Sequence, residues 1–157
     1  MNNKLPDRPS ELLALALNHL RKKEGVPNIE IDMTHWVAFS KESDLCHTCL
    51  AGAIMLDFYG KEVEEIVKHV EDNLSTLTIE VGPRNLQDCG VKLHEVEKIC
   101  SLNAFRSGYL SDAYDALRRE MPESLPRFVN VTPHHINSDQ FYTDMESLIA
   151  LLQEHGE

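Results

Sequence analysis

One stretch of this chain, residues 44–59, has very few polar side chains. Its sequence is DLCHTCLAGAIMLDFY, and its clearly polar residues are Asp44, His47, Thr48 and Asp57. A helix that is apolar on all sides has no face that suits water, so it lies buried. The stretch therefore predicts a buried central helix over about 44–59, capped by Asp44, around which the rest of the chain packs.

The residues before and after this stretch predict further helices and a little sheet. Leucines and alanines at helical spacing predict a first helix over 11–23 with Ser10 as its N-cap. Alternation of apolar and polar residues predicts short strands near 29–33 and 77–81, which could pair with each other. The segment 34–43, which contains Trp36, is expected to be a loop or a short helical turn.

Downstream of Gly60, the apolar spacing is again helical. Residues 61–74 predict a helix with valines and isoleucine inward, and residues 91–103 and 110–117 predict a helical hairpin. Residues 128–131 could form a strand or an ordered loop, and Ser138 should cap a last helix. A chain of 157 residues is about one domain. We therefore expect a single globular domain over 1–157, mainly α with a small β component (α+β).

The charge of the chain excludes one class of partner. Asp and Glu number 26 against 15 Lys and Arg, which gives a net charge of −11. Binding to duplex nucleic acid depends on Lys and Arg that neutralise phosphates, so we expect no duplex partner. The N-terminus lacks the pattern of a secretory signal, and no apolar run is long enough to span a bilayer. We expect a cytoplasmic protein with reduced thiols and no membrane contact. Formation of a homo-oligomer is compatible with the sequence.

The most specific chemical motif is Cys46-His47-Thr48-Cys49. In the first turn of a helix the dipole lowers a thiol pKa and favours the thiolate, which binds metal or attacks disulfides. A structural zinc site needs four ligands. Cys46 and Cys49 would supply two, and the further candidate ligands are His47, Cys89, His94, Cys100 and the pair His134-His135.

None of these further candidates repeats the tight spacing of Cys46 and Cys49, which weakens the zinc hypothesis. Cysteine is also among the most buried residue types, and both thiols would lie on one face of a very apolar helix. We favour core thiols over zinc, and we expect no other cofactor. A redox role is weaker still, because no strand leads directly into the motif.

No assembled catalytic site is visible in the sequence. The chain lacks a glycine-rich phosphate loop, a Gly-x-Ser-x-Gly and a His-Glu-x-x-His motif. His69 and Glu71 match the first half of the zinc deaminase motif, but the required Pro-Cys-x-x-Cys does not follow them. We therefore expect no enzymatic activity.

Three short motifs follow one another along the chain: DMTHW at 32–36, CHTCLAGA at 46–53 and LNAFRSG at 102–108. In this order they resemble small uncharacterised proteins of phages and prophages, over roughly residues 30–120. The resemblance implies an accessory protein of a phage or mobile element, and it carries over no catalytic residue.

Small size, acidity and the lack of a catalytic motif agree with a protein that binds and modulates a host or phage protein partner. An inhibitor of a host defence enzyme or of a nucleic-acid enzyme is one such protein. The alternative is a zinc-, small-ligand- or nucleotide-binding protein centred on Cys46 and Cys49. A third possibility is a protein that sequesters a nucleotide or oligonucleotide in a pocket between subunits, with Arg84, Arg106 or Arg127 as contacts.

Overall fold

The computed structural model of the protein describes residues 4–32, 35–73, 78–102, 138–154 and 156. The expected helix over 110–117, the strand or loop over 128–131, and Arg106, Arg127, His134 and His135 lie outside these ranges. In chain order the elements are α1 (Pro9–Lys23), β1 (Ile29–Ile31), β2 (Val37–Ser40), β3 (Leu45–Thr48), α2 (Leu50–Phe58), α3 (Gly60–Asn73), β4 (Thr78–Val81), α4 (Pro83–Asp88), α5 (Leu93–Ser101) and α6 (Ser138–Glu154). The predicted class, mainly α with a small sheet, is confirmed.

The sheet has four strands in the order β1-β3-β2-β4. β1 runs parallel to β3, and β2 runs antiparallel to both β3 and β4. The strands predicted near 29–33 and 77–81 are therefore present, as β1 and β4. Their predicted pairing is wrong, because β2 and β3 lie between them and place them at opposite edges.

β2 occupies a segment that the sequence suggested was a loop or helical turn. Val37 pairs in register with Val81, and Phe39 pairs with Ile79. Val37 and Phe39 alternate with polar or small residues, so the strand signal was present, but four residues are too few to separate it from a turn. Pairing with two neighbouring strands decides the conformation.

The central helix is shorter than predicted, because residues 45–48 form β3. This strand pairs with β1 on one side and with β2 on the other, so its backbone groups are satisfied without a helix. Asp44 does not cap the helix, since it ends the preceding turn with a left-handed φ of 53°. The N-cap of α2 is Cys49, whose Sγ accepts a hydrogen bond from Gly52 N at 3.4 Å.

α2 nevertheless lies at the centre of the core, as the sequence predicted. Its residues 50–55 are all buried. α1 packs against α2, α6 packs against α1, and α3 and α5 also contact α2. The short helix α4 was not predicted, and α1 begins at Pro9 with Arg8 as its N-cap, so Ser10 lies buried in the first turn. Within the described ranges, no helix is both long and apolar enough to cross a membrane.

The chain before α1 is fastened to α5 by side chains. Leu5 is 1% exposed. Its N–H donates to Glu95 Oε2 at 2.8 Å, and its carbonyl accepts from Lys98 Nζ at 2.8 Å. Glu95 and Lys98 are themselves paired at 3.0 Å. One buried carboxylate and one ammonium therefore hold both backbone groups of a single N-terminal residue.

Candidate functional site

A cavity of about 520 Å³ opens between the sheet, α2 and α3. We call it the Cys46 cavity. Its described apolar lining comes from the strands β1, β2 and β3 and from the helices α2 and α3, and consists of Ile29, Phe39, Leu45, Cys46, Leu56 and Val67. The polar lining residues that the structure describes are Asn28, Ser40, Lys41, Asp44 and Glu71. The cavity is therefore apolar inside and polar at its rim.

The register of the sheet builds the apolar side of this cavity. Ile29 and Phe39 are the cross-strand partners of Cys46 on its two sides. Directly paired residues point to the same face of a sheet, so these three side chains form one row toward the helices. Leu56 of α2 and Val67 of α3 border the same space. Ile29, Phe39, Leu56 and Val67 are only half-buried, which leaves apolar surface in a concave site.

The rim of the Cys46 cavity is negatively charged. Asp44 and Glu71 are exposed carboxylates, and among the lining residues that the structure describes the one cation is the exposed ammonium of Lys41. Glu71 also lies near the C-terminus of α3, whose last turn contains no basic residue. Because a helix C-terminus carries partial negative charge, it adds to the negative potential there.

Asp44 is held at the rim by the turn between β2 and β3. Its φ of 53° is a left-handed conformation, which Asp and Asn adopt more readily than most residues. Ser43 N donates to Ser40 Oγ at 3.5 Å across the same turn. The turn therefore places a carboxylate beside the opening of the cavity.

The pKa of the Cys46 thiol is shifted in the opposite direction to the one predicted from the sequence. The helix-start hypothesis required a lowered pKa, whereas Cys46 lies on β3 and is 8% exposed. Burial raises the pKa of this thiol to about 11, against a smaller opposing effect of the Lys23 ammonium. Cys46 is therefore a neutral thiol at neutral pH and acts as an apolar wall of the cavity.

The other predicted metal ligands are spread over the molecule. Cys49 is fully buried as the N-cap of α2, and Cys89 is half-buried at the end of α4. Cys100 is exposed on α5. His47 follows Cys46 on the strand, so the two side chains point to opposite faces of the sheet.

Two histidines among the predicted metal ligands, His47 and His94, lie beside carboxylates. His47 Nδ1 lies 3.5 Å from Asp32 Oδ2, and His94 Nε2 lies 3.1 Å from Glu95 Oε1. In the parts of the chain that the structure describes, no three His, Cys, Asp or Glu side chains are grouped so that they could hold a metal ion.

A second cavity, of about 590 Å³, lies beside the fastened N-terminal segment. Glu95 lines it, but this carboxylate already accepts from Leu5 N and Lys98 Nζ. Tyr59 OH lies 3.5 Å from Glu95 Oε2, and burial together with this carboxylate raises the Tyr59 pKa to about 12. In this second cavity Glu95 and Tyr59 already bind to other groups of the protein. The Cys46 cavity is therefore the better candidate for function.

Sequence reasoning placed part of this site correctly. Val67, one of the valines expected on the inward face of its helix, is half-buried and lines the cavity. Phe39 and Asp44 were missed as site residues because β2 and the turn after it were not recognised. The alternation of Val37 and Phe39 is the signal that could have located them.

Comparisons of the chain with protein-family models, with curated proteins and with solved structures find no match. What the protein does is therefore inferred from its own residues.

Proposed function

We propose that this chain is a small acidic accessory protein of a phage or mobile element that acts by binding and modulating a protein partner of the host or phage. The observation that supports this is the Cys46 cavity, where Phe39, Leu56 and Val67 are half-buried in a concave surface. Protein interfaces are commonly anchored by side chains that fill such apolar pockets, surrounded by a polar rim.

The charge of the chain favours a basic partner. A net charge of −11 attracts positively charged surfaces over a distance and speeds their association. Enzymes that act on nucleic acid carry such surfaces, because they neutralise phosphates with Lys and Arg. Inhibition of a host nucleic-acid or defence enzyme is therefore the form of modulation that this protein fits best.

The test is capture of the partner from host lysate by the tagged protein and by two variants of α3. Val67→Gln places a polar side chain in the cavity without changing the charge, and Lys68→Gln alters an exposed neighbour on the same helix. We expect wild type and Lys68→Gln to retain one stoichiometric partner. Val67→Gln should weaken that partner about tenfold or more, because the burial of an apolar side chain is lost.

Two results would contradict this function. One is the recovery of no stoichiometric partner at low or moderate salt. The other is a partner that Val67→Gln retains as well as wild type does, although circular dichroism shows both proteins folded.

A second candidate function is small-ligand binding beside Cys46. The volume of the cavity falls within the usual range of small-molecule pockets, about 300–1,000 Å³. Its carboxylates, Asp44 and Glu71, disfavour nucleotides and favour amines with an apolar body. A thermal-shift screen that compares phenethylamine with a nucleotide panel tests this, and a shift with nucleotides but not with the amine would reverse the ligand class.

A further inference from the structure

We propose that the partner binds the Cys46 cavity through a basic amphipathic segment, whose apolar side chain enters the cavity while an adjacent Lys or Arg pairs with Asp44 and Glu71. This inference rests on the proposed function, since it names the chemistry of the protein partner. The observation that supports it is that apolar groups line the inside of the cavity while charged groups lie at its rim.

The inner surface of the cavity selects an apolar group. Phe39, Leu56 and Val67 provide half-buried hydrocarbon, and the neutral thiol of Cys46 completes it. A polar group that entered would lose its hydrogen bonds to water and find few replacements. The inserted side chain is therefore aliphatic or aromatic.

The rim selects a cation next to that apolar group. Asp44 comes from the turn after β2 and Glu71 from the C-terminal part of α3, so two separate elements place carboxylates at one opening. Lys41 supplies the single opposing charge among the described lining residues. An acidic segment or a nucleic-acid backbone would be repelled at this rim, whereas Lys or Arg would be attracted.

The position of Glu71 strengthens this conclusion. A carboxylate near a helix C-terminus is unfavourable for the helix, because both carry negative charge. The last turn of α3 contains no basic residue that compensates. A cation supplied by the partner would relieve this repulsion. Lys and Arg also suit the site because their long stems lie along apolar surface while the charge stays at the rim.

The experiment measures fluorescence anisotropy of labelled peptides with the full-length protein. The first peptide alternates Lys with Leu and Phe. In the second peptide Glu replaces Lys, and in the third Ser replaces Leu and Phe. We expect binding of the first peptide alone, with an affinity that falls as salt rises.

Variants of the rim test the assignment of the carboxylates. Asp44→Asn keeps a residue that tolerates the left-handed φ, and Glu71→Gln keeps the shape of the side chain. Each should weaken the basic peptide about two- to fivefold, as expected for exposed ion pairs, and the double variant should weaken it further. Glu42→Gln is the control, because Glu42 is exposed in the same turn and does not line the cavity. It should leave the affinity almost unchanged.

The possible failures are distinguishable. Equal binding of the Lys and Glu peptides, or no effect of the double variant, would overturn the basic segment. If phenethylamine binds as tightly as the peptide, the site holds a small molecule and the inference is wrong. A partner that Val67→Gln loses and the double rim variant retains would overturn this inference alone, whereas the absence of any captured partner would overturn the proposed function.

Discussion

The α-carbon of Gly52 lies directly against the backbone carbonyl of Trp36. A β-carbon on residue 52 would overlap the carbonyl oxygen of Trp36 and lie 2.8 Å from its carbonyl carbon. The same oxygen accepts hydrogen bonds from Cys49 N and from Thr48 Oγ1, each at 3.3 Å. The start of β2 and the start of α2 are therefore joined at one carbonyl group, which only glycine leaves room for.

Gly52→Ala should destabilise the protein, because the new methyl group would overlap the backbone carbonyl of Trp36, which cannot rotate away, as well as the hydroxyl of Thr48. We expect a loss of about 1–3 kcal/mol in the free energy of unfolding, as for other overpacked sites. Gly60→Ala is the control, since a β-carbon there has open space. It should be neutral or stabilising by up to about 1 kcal/mol. Urea denaturation measures both, and a Gly52→Ala protein as stable as wild type would refute the close contact.

Glu95→Ala should release the N-terminal segment from α5. The substitution leaves the buried N–H of Leu5 without its acceptor and Lys98 without one of its carboxylates. We expect a loss of about 1–3 kcal/mol and faster hydrogen exchange at residues 4–8. Glu97→Ala, on the exposed side of the same helix, is the matched control. If both variants exchange alike at residues 4–8, Glu95 does not fasten the segment.

The same carboxylate predicts a loss of stability in acid. Burial opposes ionisation of Glu95, but the Leu5 N–H and the Lys98 ammonium outweigh it and hold its pKa below the usual value. A lowered pKa in the folded state stabilises above the unfolded pKa of about 4.3, and this stabilisation is lost as pH falls through the folded pKa.

The pKa of Asp57 is also lowered. Burial opposes ionisation of this carboxyl, but hydrogen bonds from Lys23 and His19 outweigh that effect. Urea midpoints should therefore fall between about pH 5 and pH 3. In Glu95→Gln the fall should be shallower, and its difference from wild type should shrink as pH drops. A difference that stays constant over this range would show that Glu95 titrates normally.

The thiols of Cys100, Cys46 and Cys49 should react with a thiol reagent in that order. Cys100 is exposed and should react first at neutral pH. Cys46 should react slowly, because it is 8% exposed and its pKa is raised to about 11, and Cys49 should react only on unfolding. Peptide mapping after brief iodoacetamide treatment measures this. If Cys46 were labelled as fast as Cys100, the thiol of Cys46 would not be buried as the structure shows.

Removal of metal should leave the fold unchanged. Cys49 is engaged as the N-cap of α2 and Cys46 faces the cavity from β3. We expect purified protein to contain less than about a tenth of an equivalent of zinc, and the melting temperature to be unaffected by a chelator. A stoichiometric metal with a lower melting temperature after chelation would restore the zinc hypothesis for this motif.

The helices were predictable where the apolar pattern is long. Over α3, Val63, Ile66, Val67 and Val70 repeat at helical spacing for several turns, and the observed bounds are close to the predicted ones. Residues 45–48 could not be assigned in this way, because a short apolar run fits a strand or a helix equally well. Their conformation is decided by pairing with β1 and β2, which local sequence does not reveal.

The candidate site was less predictable than the fold, because its residues come from five separate elements. The sequence suggested Cys46 and Cys49 as a pair, but Cys46 lies on β3 and Cys49 is the N-cap of α2, so their thiols have different surroundings. Cys46 does belong to the candidate site, as a wall residue and not as a ligand or nucleophile. Its neighbours Phe39, Leu56 and Val67 become apparent only when the register of the sheet is known.

The strand order also implies an order of assembly. β2 and β3 are joined by a four-residue turn over 41–44, so this hairpin closes a short loop and can form early. β1 pairs with β3 across a longer loop than the one that joins the hairpin, so we expect β1 to join later. Substitutions in the turn would therefore slow folding, whereas substitutions in β1 would mainly speed unfolding. We expect the hairpin that carries Asp44 and Cys46 to nucleate the sheet, and the same hairpin forms a wall of the cavity.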